Sequence, residues 1–543
     1  GEMIPGMAYL VRRLLENTSN ESWLRGSSSG AEPVAVQLAS PHGEDPATDP
    51  GIARIDESPE RHQLSSAVEG LGDGRAFFTE PMRDFSNRDQ REAFGSAVKA
   101  SKVPDIAIDA TVEDADIAID TAYRAFPSWR DTPALKRAET LLRCAAIMRS
   151  RRDELSGVVI RESGKTWREA DGDVCEAIDF CEYYAREAVG MFAPKRLGTF
   201  IGELDTEFHE PRGVAIVISP WNFPLAICCG MTVAALVTGN TVVLKPAEQT
   251  PAIARLLVDI LHESGVPREV LHFIPGAGET VGAHLVRHTK TSLVAFTGSK
   301  AVGLDIVQAC GLVPESQSHV KRVVCEMGGK NAIIIDTSAD LDEAVLGVRD
   351  SAFNFQGQKC SACSRAIVVG DALQPFLHRL APSVETLCIG HPLDPGTDIG
   401  PVIDAEAAEK IRAYIEIGKS EGTLAACGTI PDGLEAAVKM PYVAPHVFTD
   451  IAPSDRLARE EIFGPVLAVL HAESFEAALE MANASEYRLT GAVYSRRPAH
   501  LDMARERFRV GNLYLNRGST GALVGRQPFG GFGMSGVGAK AGG

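Results

Sequence analysis

The feature that most constrains this chain is a regular alternation of short apolar runs and helical patterns between residues 214 and 325. Runs with strand character fall at 214–218, 241–245, 270–274, 293–296 and 322–325. Helical patterns lie between them, at 225–238, 251–264, 279–286 and 300–310. Alternation at this spacing predicts right-handed βαβ units and a parallel sheet covered on both faces. Such a sheet binds ligands at the carboxyl ends of its strands. A second α/β stretch runs from about 331 to 516, with strand candidates at Ala332–Ile335, Ala366–Val369, Val466–Leu470 and Leu513–Leu515. The fold class is α/β.

The 543 residues exceed what one hydrophobic core accommodates, so two or three domains are expected. Residues 7–24 read as a helix with Leu10, Leu14 and Leu15 on one side, and Ser, Gly, Pro and Asp then dominate from Ser27 to Gly74, as in a linker. From about Phe77 the chain becomes globular. Thr111-Val112-Glu113-Asp114 forms a capping box ahead of Ala115, Ile119, Ala122 and Phe126 at helical spacing. Two more amphipathic helices are predicted around 135–150 and 172–186. A net charge of −18 argues against nucleic-acid binding. Eleven scattered cysteines suit reduced thiols in a cytoplasmic protein. The most apolar region, 213–246, is broken by Pro220, Asn222, Pro224 and Asn240, so no membrane span is expected.

Several short segments carry chemistry. Cys360, in Gly357-Gln358-Lys359-Cys360-Ser361-Ala362-Cys363, lies in a loop between a helical stretch and a strand, where a thiol can be exposed and have a lowered pKa. A small core residue, or a redox or zinc pair of Cys360 with Cys363, are the alternatives; no further Cys or His pair stands at zinc spacing, and no metal is expected. Glu326, before Met327-Gly328-Gly329-Lys330, is a carboxylate at a strand end beside glycines that admit close backbone approach, or else a turn residue. Asn222, in Ser219-Pro220-Trp221-Asn222-Phe223-Pro224, can aim an amide donor at a developing oxyanion, and is equally a turn residue by itself. Lys245 and Glu248 at a strand end can hold ribose hydroxyls, and in Phe296-Thr297-Gly298-Ser299 a helix begins whose free N–H groups can face a pyrophosphate. Gly276-Ala277-Gly278 with Gly282 imitates a dinucleotide fingerprint at the wrong spacing and reads as a turn and helix start.

In order, the motifs PWNFP, KPAEQTP, FTGS, EMGGK, GQKCSACSR, EEIFGPV and QPFGG resemble the aldehyde dehydrogenase superfamily over residues 80–543. The resemblance implies a Rossmann-like NAD-binding domain over 81–325, with an oligomerisation hairpin near 194–210, and an α/β catalytic domain over 326–535. It implies Cys360 as nucleophile, Glu326 as general base and Asn222 in the oxyanion hole. Ser219, Pro220, Trp221, Lys245, Glu248, Gly298, Ser299, Glu461 and Phe463 would hold NAD. Glu248 favours NAD because a carboxylate accepts from a free 2′-hydroxyl and repels a 2′-phosphate.

Cys360-Ser361-Ala362-Cys363-Ser364-Arg365 and Ser519-Thr520-Gly521-Ala522 look like the glutamate γ-semialdehyde (pyrroline-5-carboxylate) dehydrogenase branch. There Gly521 and Ala522 would hold the substrate α-carboxylate, Ser361 would add a hydroxyl, Phe529 would pack on the aliphatic stem and Glu176 would face the ammonium. Tyr9 to Glu21 resembles the last barrel helix of proline dehydrogenase, with Arg12 and Arg13 as its carboxylate clamp. The resemblance is then to the C-terminal part of bifunctional proline utilisation A enzymes: a helix remnant at 1–26, a linker at 27–80 and a shortened C-terminal segment at 536–543. FAD would belong only to the missing barrel, so no proline oxidation is expected here, and homo-oligomerisation is expected of the complete enzyme. Two alternatives are carried forward: the same chemistry on another aldehyde, such as succinic semialdehyde, and a catalytically silent fragment.

Overall fold

A computed structural model of the chain describes residues 68, 70–72 and 74–543. These belong to one unit, Ala67–Gly543. The helix at 7–24, the Arg12–Arg13 clamp and most of the 27–80 linker lie outside the described residues.

Five helices open the described unit: α1 (Arg88–Ala100), α2 (Val112–Arg130), α3 (Ala134–Ser150), α4 (Arg152–Ser163) and α5 (Trp167–Met191). The capping box at α2 forms: Thr111 Oγ1 accepts from the Asp114 N–H at 3.2 Å and Asp114 Oδ2 accepts from the Thr111 N–H at 2.8 Å. Helix α5 outruns its predicted 172–186 at both ends because its buried stripe is longer, from Trp167 through Ala170, Val174, Ile178 and Cys181 to Ala188. A short antiparallel hairpin follows, β1 (Lys195–Arg196) with β2 (Thr206–Glu207), where a hairpin was expected.

The predicted alternation then appears as β3 (Val214–Ile218), α6 (Ala226–Val237), β4 (Thr241–Lys245), α7 (Pro251–Glu263), β5 (Leu271–Phe273), α8 (Ala283–Arg287), β6 (Thr291–Thr297), α9 (Lys300–Gly311) and β7 (Arg322–Glu326). These five strands are parallel, in the order β7-β6-β3-β4-β5. Helical residues pack on both sheet faces, in one core containing Val217, Leu244 and Leu236 and another containing Ile216, Val243 and Ile119. The helix predicted at 279–286 is divided into a wide π turn, Gly278–Gly282, and α8.

The second sheet uses β8 (Asn331–Ile335), β9 (Cys363–Val369), β10 (Thr423–Cys427), β11 (His446–Thr449), β12 (Val466–Ala472), β14 (Thr490–Tyr494) and β15 (Asn512–Leu515), with β13 (Tyr487–Arg488) outside it. Its order is β10-β11-β12-β9-β8-β14-β15, parallel except at β10. Helix α10 (Leu341–Phe353) covers it and leads to the Cys360 loop. Later residues return to both parts: β16 (Phe532–Gly533) pairs with β13, and β17 (Gly536–Val537) adds antiparallel to β7.

Candidate active site

In the first sheet the crossovers run outward in opposite senses from β3, which has β4 on one side and β6 on the other. At such a switch point the loops after adjacent strands part and leave a crevice. A cavity of about 350 Å3 opens there. Its walls include Ser219, Pro220, Trp221 and Asn222 after β3, Gly298 and Ser299 after β6, Gly328 after β7, and Cys360, Glu461 and Phe463 from the second α/β part. Nine sequence-derived candidates, more than two hundred residues apart at the extremes, thus meet at one opening with Gly328.

Asn222 is buried, and its Nδ2 donates to the Gln358 carbonyl at 3.1 Å, leaving its second N–H for another acceptor. That bond ties the loop after β3 to the turn that presents Cys360. The turn itself is strained: Phe355 (φ 51°), Gln356 (φ 55°) and Gly357 (φ 65°) are successively left-handed. Two such non-glycine residues cost about 1–3 kcal/mol each. Hydrogen bonds offset this, from Gln356 Nε2 to the Pro401 carbonyl and from the Ile403 N–H to Gln358 Oε1 at 2.9 Å. The Cys360 carbonyl accepts from Asn331 Nδ2 at 2.7 Å.

The two glycines after Glu326 have a steric explanation. A Cβ on Gly329 would stand 2.4 Å from the Cys360 carbonyl oxygen, and one on Gly328 would stand 2.2 Å from Glu461 Oε2. Glu461 Oε1 in turn accepts from the Gly329 N–H at 2.8 Å. Glu326 ends β7, and its Oε2 accepts from the Gly531 N–H at 3.4 Å.

The sequence suggested a lowered pKa for Cys360, and the structure corrects this, while the half-buried residue does line the cavity. Burial pushes the thiol up to about 12, and the nearby Glu326 and Glu461 carboxylates add to the rise. Burial likewise lifts Glu326 to about 8, against smaller opposing effects of the Gly531 N–H and Lys540. A buried carboxylate titrating near 8, with a thiol in its field, is a base matched to neutral and mildly alkaline pH.

Lys245 and Glu248 lie beyond this cavity's walls. Lys245 Nζ contacts Glu248 Oε1 at 3.0 Å, and that oxygen also accepts from the Gly278 N–H at 2.8 Å. The Gly276-Ala277-Gly278 turn therefore supports Glu248, a role that backbone donors do not announce in sequence. Ser299 caps α9, accepting from the Val302 N–H at 3.4 Å, and a Cβ on Gly298 would stand 2.5 Å from the Phe296 ring. A crevice at a switch point, a helix N-terminus on its wall and a fixed carboxylate on the same sheet edge fit a dinucleotide. Lys410, Ala407, Met327 and Val302 also line the cavity and were not singled out from sequence. Lys410 lies on α11 (Ala405–Glu421), where it reads as an ordinary solvated helix residue.

Of the segments chosen for substrate contact, the loop at Ser519 approaches Cys360. The Ser361 carbonyl accepts from Thr490 Oγ1 at 3.2 Å and Ser519 Oγ at 3.4 Å, so the 519–522 loop reaches the residue next to Cys360. Gly521 is left-handed (φ 76°), and Arg517 Nη2 donates to the carbonyls of Thr520 at 2.9 Å and Gly521 at 3.1 Å. Phe529 exchanges backbone hydrogen bonds with Ala541, both 2.8 Å. Glu176, on α5, is pushed up to about 8 by burial and then by Asp173, against Lys165.

A fold of two α/β parts meeting over a thiol, an amide and a dinucleotide crevice defines an NAD-linked aldehyde-oxidising enzyme. The chain belongs to the aldehyde dehydrogenase family, whose model matches residues 95–543. It is 47% identical over 473 residues to 1-pyrroline-5-carboxylate dehydrogenase of Geobacillus sp. (strain WCH70), covering 87% of this chain and 89% of that relative. The NAD-bound 1-pyrroline-5-carboxylate dehydrogenase from Thermus superposes with a TM-score of 0.82 at 42% identity, covering 87% of this chain and 97% of that one. Proline utilization A from Bdellovibrio bacteriovorus superposes with a TM-score of 0.84 at 43% identity, and there the match covers 100% of this chain and 57% of the larger one.

Proposed function

We propose that this chain oxidises L-glutamate γ-semialdehyde, the open form of 1-pyrroline-5-carboxylate, to L-glutamate with NAD. The observation that carries this reading is the meeting of Cys360, Asn222 and the dinucleotide crevice at one opening, with the 519–522 loop seated on Ser361.

Cys360 Sγ adds to the aldehyde carbon, its proton passing to solvent, and the carbonyl oxygen becomes an oxyanion held by Asn222 Nδ2 and the Cys360 N–H. NAD, when bound, accepts the hydride. Ser219, Pro220, Trp221, Gly298, Ser299, Glu461 and Phe463 would hold its nicotinamide half and pyrophosphate, and Lys245 and Glu248 its adenosine ribose. The acyl group left on sulfur is released by water that gives its proton to Glu326, and the thiolate leaves. Gly521 and Ala522 N–H groups take the α-carboxylate, Ser361 adds a hydroxyl, Phe529 covers the stem and Glu176 faces the ammonium. Neutral donors hold a carboxylate without trapping the product.

Eleven cysteines, all free thiols, support a reducing cytoplasmic setting. Among the described residues no helix is long and apolar enough to cross a membrane. We place the nucleotide-binding domain at 81–325 and the catalytic domain at 326–535. The test is NADH formation by the purified chain with pyrroline-5-carboxylate and with succinic semialdehyde. Faster turnover of the first is expected, and faster turnover of the second overturns the substrate assignment.

A further inference from the structure

Lys165 lies in the bend between α4 and α5 and is wholly buried. Its ammonium has one carboxylate partner, Asp173 Oδ2, at 3.3 Å. The rest of its surroundings are unusual: Nζ stands 4.0 Å from the centroid of the Phe223 ring and 4.9 Å from that of Phe355. A desolvated ammonium against aromatic faces gains more than an exposed one does, yet burying it costs more than an apolar side chain of the same size would. A core needs no such residue merely to be filled.

The two rings explain what the ammonium joins. Phe223 follows Asn222 directly, and Phe355 begins the left-handed turn five positions before Cys360. Asp173 completes the link, because its Oδ1 accepts from the Ala226 N–H at 2.9 Å and so anchors α6 immediately after the Asn222 loop. One buried cation therefore touches both segments that the reaction must keep in register.

We propose that Lys165 is a positioning residue that clamps the Asn222 loop against the Cys360 turn through the faces of Phe223 and Phe355. The clamp rests on the reading of Asn222 as oxyanion donor and Cys360 as nucleophile. Its loss misplaces donor and sulfur relative to each other without removing either, and a displacement of about 1 Å lowers turnover up to about a hundredfold.

Two variants of the full chain test this. Lys165→Met/Asp173→Asn removes the ion pair together, so that Asp173 is not left as an unpaired buried carboxylate. Phe355→Leu removes one ring and keeps the ion pair. Each is assayed for NADH formation from pyrroline-5-carboxylate, for NAD affinity by fluorescence quenching, and for hydrolysis of p-nitrophenyl acetate. The ester needs neither NAD nor semialdehyde: the sulfur displaces p-nitrophenolate, and water then releases acetate from the sulfur. The expected result is a fall in kcat of about ten- to a hundredfold for the double variant, with NAD affinity within about twofold. Ester hydrolysis falls in parallel, and adding Phe355→Leu to the double variant costs little more because the same link is already cut. Either kcat or ester hydrolysis within twofold of the parent in folded Phe355→Leu, or fully multiplicative losses on combination, overturns the clamp. If the double variant does not fold, Phe355→Leu alone decides. A parent that hydrolyses the ester but makes no NADH from pyrroline-5-carboxylate refutes the substrate reading, while the ester data still judge Lys165.

Discussion

At the scale of single residues, two groups at the site, Glu326 and the Cys360 thiol, have environments that push them away from their ordinary behaviour. Glu326, raised to about 8 by burial, can serve as the proposed base only when ionised. Turnover should therefore climb as pH rises through about 8 and fall away on the acid side, as a pH profile of kcat will show. Glu326→Gln should flatten that limb and leave acyl-enzyme on Cys360, detectable by intact mass. Asn222→Ala should lower kcat about a hundred- to a thousandfold, the usual cost of one oxyanion donor, with NAD affinity kept. Gly329→Ala should be more damaging than its size suggests, since its methyl would stand 2.4 Å from the Cys360 carbonyl oxygen. Chemistry-bearing residues were legible in sequence because each stands in a short motif at a strand or helix end. The thiol's raised pKa was not, because it depends on burial and on Glu326 and Glu461, which are remote in sequence. Lys165 was illegible for the same reason, as its partners come from three separate segments.

At the scale of elements, legibility followed the strength of the periodic signal. Strand β3 is an unbroken apolar run, and β4, β6 and β8 each hold at least three consecutive apolar residues, and all stood out. Strand β14, Thr490–Tyr494, is interior to the second sheet yet carries glycine at its second position, which weakens the strand signal. Its glycine is required: a Cβ on Gly491 would stand 2.4 Å from the Phe508 ring. Strand β10 is an edge strand with Thr423 and Leu424 exposed, and its pattern does not alternate. Capping chemistry was the most readable local feature. Thr111→Ala should lower stability by about 1 kcal/mol, measured by urea unfolding, because it removes a reciprocal cap from α2 without touching the cleft.

At the scale of the whole molecule, the hairpin at 195–207 and its flanks expose Leu197, Phe200, Ile201, Leu204 and Phe208 together. Large apolar side chains left exposed so close together in sequence suit contact between copies of the chain. Ile201→Asp with Phe200→Ser should therefore shift sedimentation toward a smaller species and leave the far-UV circular dichroism unchanged. Sequence pointed to a hairpin here but carried no sign of which side chains it would leave uncovered, since exposure is decided by what the rest of the fold fails to reach.

The return of residues 530–537 to the first sheet has one more consequence. The N–H of Gly531 and the strand beside β7 reach the base only through the segment between Leu515 and Phe529. That segment carries exposed residues at Gly521, Gly525 and Arg526. A protease cutting after Arg526 would spare every strand of both large sheets except the short β17. The nicked protein would keep its shape on a sizing column and its dinucleotide crevice, yet its base would no longer be tethered through an unbroken chain. Loss of turnover would then outpace loss of structure.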